Sequence, residues 1–344
     1  MDIPHRLPAG KLPPALLQRL LEMARSADPR LVVGPGLGAD AAVLDMGQHL
    51  LVAKSDPVTF ATDLLGWYLV QVNANDIACM GARPRWLLCT LLLPEGCPPS
   101  LAEEVFRQVV EACQPLGVSV IGGHTEITYG LPRPIAVGAM LGEVERGRLV
   151  RPGGTQPGDV LLLTKGIALE GTALLAREAP DALRERGVPT EVIARAQRLL
   201  LEPGISVVRE ALSAAATGQV HALHDPTEGG LATALREMAI PAGVGLEVDG
   251  DAIPILPECR AVCSALGLDP LGLLASGALV MAVPPEAQAS VRRAVEEEGI
   301  PCVPIGKVLA RGEGLFLLHR GRRESLPVFP RDEVARWFSG RRGG

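Results

Sequence analysis

Aromatic residues are scarce in this chain: three Trp, two Tyr and five Phe in 344 residues leave any core to be filled by aliphatic side chains. Hydrophobic residues still make up 47% and mean hydropathy is +0.24, enough material for about two domains. Lysine is nearly absent. Four lysines stand against 29 arginines, and 39 acidic residues bring the net charge to −6. That balance offers no basic footprint, which argues against nucleic-acid binding. No apolar run approaches the roughly 18 residues that mark a membrane span, and the opening MDIPHRLPAGKL lacks the charged-then-apolar pattern of a secretory signal. The seven cysteines are odd in number and mostly embedded in apolar runs. Cys259 and Cys263 have helical i, i+4 spacing, but no second Cys or His pair stands at zinc spacing. Buried free thiols in a soluble, cytoplasmic protein that binds no membrane are therefore expected.

What is present centres on the stretch from Lys54 to Pro84, KSDPVTFATDLLGWYLVQVNANDIACMGARP. A strand (HLLVAK) runs into Asp56, and a helix opening at Thr62/Asp63 carries Asn73, Asn75 and Asp76 before Gly81 and Pro84 stop it. Asn73 and Asp76, three residues apart, share one helix face. Leu64, Leu65, Tyr68, Val72 and Ile77 supply the apolar one. A carboxylate on such a helix is held in place and suits a hard divalent cation that also binds phosphate. The plainer alternative is an amphipathic helix with a polar end. Upstream, Gly34, Gly36 and Gly38 look like a nucleotide loop, but the loop feeds a strand (AAVL) rather than a helix, so the dinucleotide reading fails. The loop instead delivers Asp40 to the mouth of a strand over 41–45.

The chain beyond continues with a strand (86–94), a helix over 101–114 with Ser100 and Glu103 as a capping box, a strand (118–123) ending in Gly122 and Gly123, and a strand over 134–144. That pattern predicts an α+β N-terminal domain over 1–150, with a mixed or antiparallel sheet and helices on one face. RPGGTQPGD (151–159) is punctuation, and an α/β domain over 159–320 follows, with a short tail over 321–344. In HDPTEGGLATALREM (224–238), Thr227 reads as an N-cap, and Gly229 and Gly230 leave backbone N–H groups open where a helix dipole favours anions. A turn that merely needs glycine for its geometry is the alternative.

Taken in order, GADAAVL, KSDPVTF, VNANDIACMGARP, GGHTEIT and HDPTEGGLATAL resemble the aminoimidazole ribonucleotide synthetase-related (PurM-like) superfamily, on the branch of the hydrogenase maturation protein HypE. The resemblance spans about residues 30–310. It implies an N-terminal domain that forms a homodimer, a C-terminal α/β domain, and ATP with Mg²⁺ between them. By motif position the metal ligands would be Asp40, Asp56, Asp76 and Glu126. Lys54, Asn75, Gly122, Gly123, Thr125, Thr227, Gly229 and Gly230 would contact the nucleotide, and His124 and Asp225 would be the catalytic groups. Lys165 ends a strand beside a motif, as Lys54 does, and is open to the same phosphate reading or to a plain solvated one.

The implied activity is ATP-dependent phosphorylation of an oxygen on a small or carried acceptor, in hydrogenase or metal-cofactor maturation and with a maturation partner protein. Several features depart from the branch: Ala39 replaces the first acid of its GDDAA loop, His124 stands where HypE has an acid, Glu126 replaces a Lys, and Cys302 is the last cysteine where HypE ends in one. The first and last of these keep a second reading open, a nucleotide-binding scaffold without turnover. A kinase of the thiamine monophosphate type is the third.

Overall fold

The computed structural model describes residues 7, 12–24, 26–36, 41–59 and 63–341, apart from the side chains of Pro14 and Arg341. The chain forms two compact units: Ser26–Pro35 with Ala39–Leu149, and Val150 onward, which also takes in the N-terminal helix α1 (Pro14–Met23). Gly38, Ala39, Asp40 and Thr62, all named above, lie outside the described residues.

The first unit begins with β1 (Leu31–Val33), β2 (Ala42–Asp45) and β3 (His49–Val58). Next come α2 (Leu65–Cys79), β4 (Arg83–Pro94), α3 (Pro99–Cys113), β5 (Ser119–Thr128) and β6 (Ile135–Glu145). Among the described residues they make a six-stranded sheet in the order β1-β2-β3-β6-β4-β5. β4 and β5 run parallel and the other neighbours antiparallel. β6 and most of β4 alternate buried and open positions, and the buried rows of the sheet (Leu50 and Val52, Met140 and Val144, Leu91 and Leu93) form the core of this unit. α2 packs against β3, β6 and β4, and it is seated on two glycines of β6. A Cβ at Gly138 would lie 2.6 Å from Asn73 Nδ2, and one at Gly142 2.3 Å from Ile77 Cγ2.

Two helix starts differ from expectation. α2 opens after Leu64, which has φ +54°. The Ser100–Glu103 capping box does not form, because α3 already begins at Pro99. Proline is favoured at a first helical position, where no N–H partner is needed, and this shifts Ser100 past the cap.

The second unit runs β7 (Val160–Thr164), α4 (Leu169–Glu178), α5 (Pro180–Glu185), α6 (Thr190–Arg198), α7 (Val208–Ala216), β8 (Ala222–His224), α8 (Gly230–Ala242) and β9 (Gly245–Asp249). It continues with α9 (Pro257–Leu266), β10 (Val280–Val283), α10 (Gln288–Glu296), β11 (Cys302–Leu309), β12 (Leu315–His319), β13 (Arg322–Ser325) and α11 (Glu333–Arg341). Its seven-stranded sheet has the order β13-β12-β9-β11-β7-β10-β8, and only β9 and β12 pair in parallel. β10 and the first four residues of β7 are apolar, Thr164 closes β7, both strands are buried apart from Val160, and they lie next to each other in it. The described part of the expected tail joins this core: Leu326 and Val334 are buried in it, and Trp337 and Phe338 pack against it. No described helix is long and apolar enough to cross a membrane.

Candidate active site

In the first unit, Lys54 Nζ sits 2.9 Å from Asp76 Oδ2 and 3.4 Å from Asp56 Oδ2. Lys54 and Asp56 are two apart on β3 and so project from one face of the sheet. That face is the one α2 covers, and Asp76 comes down from α2 to meet them. The Asp76 side chain is 8% exposed, that of Lys54 20% and that of Asp56 40%, so the cluster runs from a buried base to an open rim. Its backbone is tied as well: Asn73 Oδ1 accepts the Asp56 N–H at 3.0 Å, and Asn73 Nδ2 donates to the Asp56 carbonyl at 3.3 Å.

Two carboxylates around one ammonium leave the cluster with a formal charge of −1. The donors are hard oxygens, whose Oδ2 atoms can be no farther apart than the sum of their two distances to Nζ. Such a set fits Mg²⁺, which binds through one or two carboxylates and completes its shell with water and phosphate oxygens. Asp56 and Asp76 would hold the ion, and Lys54 would meet phosphate as a point charge. Among the described residues no group of three or more His, Cys, Asp or Glu is placed to hold a metal.

Glu126 does not join them. β5 is the far edge of the sheet, separated from β3 by β6 and β4, which is three strand spacings or roughly 14 Å. Glu126 also faces the other way. The register row Asp56–Gly138–Cys89–Gly123 places Gly123 on the face of Asp56, so Glu126 and His124 lie on the opposite one. There His124 Nε2 and Glu126 Oε2 pair at 3.0 Å, both largely exposed. The His124 hydrogen bond, then that of Thr128, holds the Glu126 carboxyl below its usual range. Gly123 and Thr125 share the Asp56 face but stay at the far edge. Gly122 and Gly123 have φ of +154° and +148°, and a Cβ at Gly123 would fall 1.8 Å from the Cys89 carbonyl oxygen. Contact with β4 alone thus requires glycine at 123. Asn75 is fully buried on α2 and faces protein rather than an open site.

In the second unit the turn from Asp225 to Gly230 is held from within the chain. The helix starts at Gly230 with Gly229 as its cap, two residues beyond Thr227. The Gly229 N–H donates to Asp332 Oδ2 at 2.7 Å and the Gly230 N–H to the Thr227 carbonyl at 3.0 Å. Both amides expected to face an anion are therefore engaged. Asp225 is 2% exposed and stands near Glu170, whose carboxyl is pushed up to about 7. Burial is the main cause of that rise, a Ser276 hydrogen bond opposes it, and the charges of Asp332 and Asp225 add to it.

Sequence reasoning missed Glu170 and Asp332; the one available signal for Glu170 was an acid inside the apolar run GIALEGTALL. Lys165 proves to be a buried partner: its Nζ lies 2.7 Å from Glu210 Oε1 and 2.5 Å from the Ser206 carbonyl. It is not free to reach a phosphate. Cys259 and Cys263 on α9 are buried, and burial pushes their thiols up to about 11 and 12.

Family models match on both units: AIR synthase related protein, N-terminal domain, over residues 38–144, and its C-terminal domain over residues 156–317. The chain belongs to the AIR synthase related family. Within this family it is 34% identical to a putative hydrogenase expression/formation protein of Methanocaldococcus jannaschii, over 72% of this chain and 72% of that one. It is 32% identical to carbamoyl dehydratase HypE of Cupriavidus necator, over 71% of this chain and 68% of the relative. A solved structure of hydrogenase maturation protein HypE in complex with ATP superposes with a TM-score of 0.67 at 24% identity, covering 95% of this chain and 97% of that chain. That last likeness is one of fold.

Proposed function

We propose that this member of the AIR synthase related family is a HypE-like, ATP- and Mg²⁺-dependent enzyme that phosphorylates an oxygen of a small or carried acceptor and releases ADP. The observation that carries the reading is Lys54 Nζ seated against both Asp56 and Asp76. Phosphoryl transfer asks a protein mainly for positioning and neutralisation of charge. A cation held by two carboxylates beside a lysine supplies both. Similarity to carbamoyl dehydratase HypE, and a fold shared with a HypE that binds ATP, support the nucleotide and the reaction class. The name of the Methanocaldococcus jannaschii relative supports a task in hydrogenase expression or formation, and a solved HypE–HypF complex whose fold this chain shares supports a maturation protein as partner.

His124 and Asp225 take no catalytic role in this reading. His124 lies on the edge strand away from Lys54, and Asp225 is buried in its turn. A homodimer formed through β5 belongs to the same proposal. β5 is a sheet edge that exposes Ile121 and Ile127 and ends beside the 92% exposed Tyr129, the kind of edge that proteins otherwise cover or charge.

The test is ADP release with and without Mg²⁺, in wild type and Asp76→Ala. Release that needs Mg²⁺ and falls at least a hundred-fold in the variant (about 2.7 kcal/mol of transition-state stabilisation) supports the enzyme. Nucleotide bound without any release would hand the protein to the scaffold reading.

A further inference from the structure

We propose that Asn73 is the positioning residue that sets the distance between the two carboxylates, and that Gly138 is the socket it needs. The inference rests on the Lys54–Asp56–Asp76 site proposed above and names what builds it. Asn73 is fully buried. Its side chain makes three hydrogen bonds with backbone groups: Oδ1 accepts the Asp56 N–H at 3.0 Å, and Nδ2 donates to the Asp56 carbonyl at 3.3 Å and to the Leu69 carbonyl at 2.9 Å. One N–H donor and two carbonyl acceptors decide which end of the amide is oxygen. Only Asn satisfies this pattern at this reach, since Asp would set a carboxylate oxygen against two carbonyls.

The amide therefore clasps both backbone groups of the residue that bears one carboxylate, from a helix that bears the other three positions later. Leu69, one turn before Asn73, fixes the amide to its own helix. A slide of α2 along β3 would alter the Asp56–Asp76 separation and would break these bonds first. Gly138 stands opposite Asp56 in the β3/β6 register. A Cβ there would lie 2.6 Å from Asn73 Nδ2 and 3.0 Å from its Cγ, closer than real side chains pack. An alanine at 138 would displace the amide while leaving every atom of the proposed metal site in the sequence.

Groups that orient metal ligands without touching the ion typically govern its affinity by 10–100-fold. The test measures Mn²⁺ binding by the loss of its free-ion electron paramagnetic resonance signal in wild type, Asn73→Ala and Gly138→Ala, with thermal melts of each. Val109→Ala is the control: it removes buried volume at the contact of α3 with α2 and should destabilise comparably. We expect folded N73A and G138A to bind Mn²⁺ at least about ten-fold more weakly, and V109A to bind it as wild type does. Folded N73A or G138A with wild-type affinity overturns the inference, and so does V109A weakening the ion equally, since general loosening would then explain the loss. If neither N73A nor G138A folds, Asn73 is a folding element and the positioning role falls. If wild type holds no Mn²⁺, the site reading itself has failed and takes this inference with it.

Discussion

Asp332 Oδ2 accepts the Gly229 N–H at 2.7 Å, joining the start of α8 to a residue 103 positions later in the chain. Its other oxygen accepts the Val334 N–H at 2.7 Å, so one carboxylate caps α8 and α11 together. Both N–H groups lie in buried surroundings, and leaving a buried donor without a partner costs about 1–3 kcal/mol. Asp332→Ala should therefore destabilise by about 2–4 kcal/mol, lowering the melting temperature by several degrees. Asp332→Asn should recover part of this, because its amide oxygen still accepts one bond. Denaturant melts of the three proteins measure the order. Equal stability of wild type and alanine variant would show that the α11 end is not held through this residue.

Glu170 gives the protein a pH dependence of defined sign. Burial raises its carboxyl to about 7, and burial likewise raises Asp332 to about 6. An acid whose folded pKa lies above its unfolded value near 4 binds protons more readily when folded, so its contribution is greatest below pH 4 and is lost as pH rises towards 7. For Glu170 the loss is on the order of 3 kcal/mol. Glu170→Gln keeps a polar group for Ser276 and cannot ionise. It should exceed wild type at pH 8 by roughly 6–12 °C in melting temperature and match it near pH 4. A gap of the same size at both pH values would mean that volume or hydrogen bonding, not ionisation, is responsible.

Lys165 and Glu210 form an ion pair with side chains 5% and 1% exposed. Removing one partner of such a pair strands a charge and typically costs 3–5 kcal/mol, roughly, whereas removing both is far milder. Lys165→Met should thus lower unfolding free energy by about that amount, and Lys165→Met/Glu210→Gln should regain more than half of it. Folded Lys165→Met should show an unchanged half-saturating ATP concentration. A large rise in that concentration would restore Lys165 as a phosphate contact.

The order of strands and helices was legible because apolar periodicity is local, and the strands expected over 86–94 and 134–144 both form. The meeting of Lys54, Asp56 and Asp76 was legible for the same reason, since strand and helix are neighbours in sequence and pack together. The distance of Glu126 from Asp56 and Asp76 within the chain was not legible, because sequence order does not give sheet order. β6 inserts between β3 and β4, pushing β5 to the edge, and the parity of one residue puts Glu126 on the other face. Asp332 was invisible for a related reason: only the folded chain brings a terminal segment to the start of α8.

The edge strand β5 carries the last prediction. Ile127 is 59% exposed and Ile121 52% among the described residues. Substitutions at such exposed positions usually change stability by no more than about 0.5 kcal/mol. Ile127→Asp should therefore leave the melting behaviour of an isolated chain almost untouched. If two copies pair along β5, the same change sets charges against an apolar contact and should raise the dimer dissociation constant by at least about a hundred-fold, some 2.7 kcal/mol. Sedimentation equilibrium at micromolar concentration separates the cases. A wild-type dimer and a folded Ile127→Asp monomer place the interface at β5. A dimer that survives the substitution unchanged places it elsewhere, and the exposed isoleucines would then need another explanation.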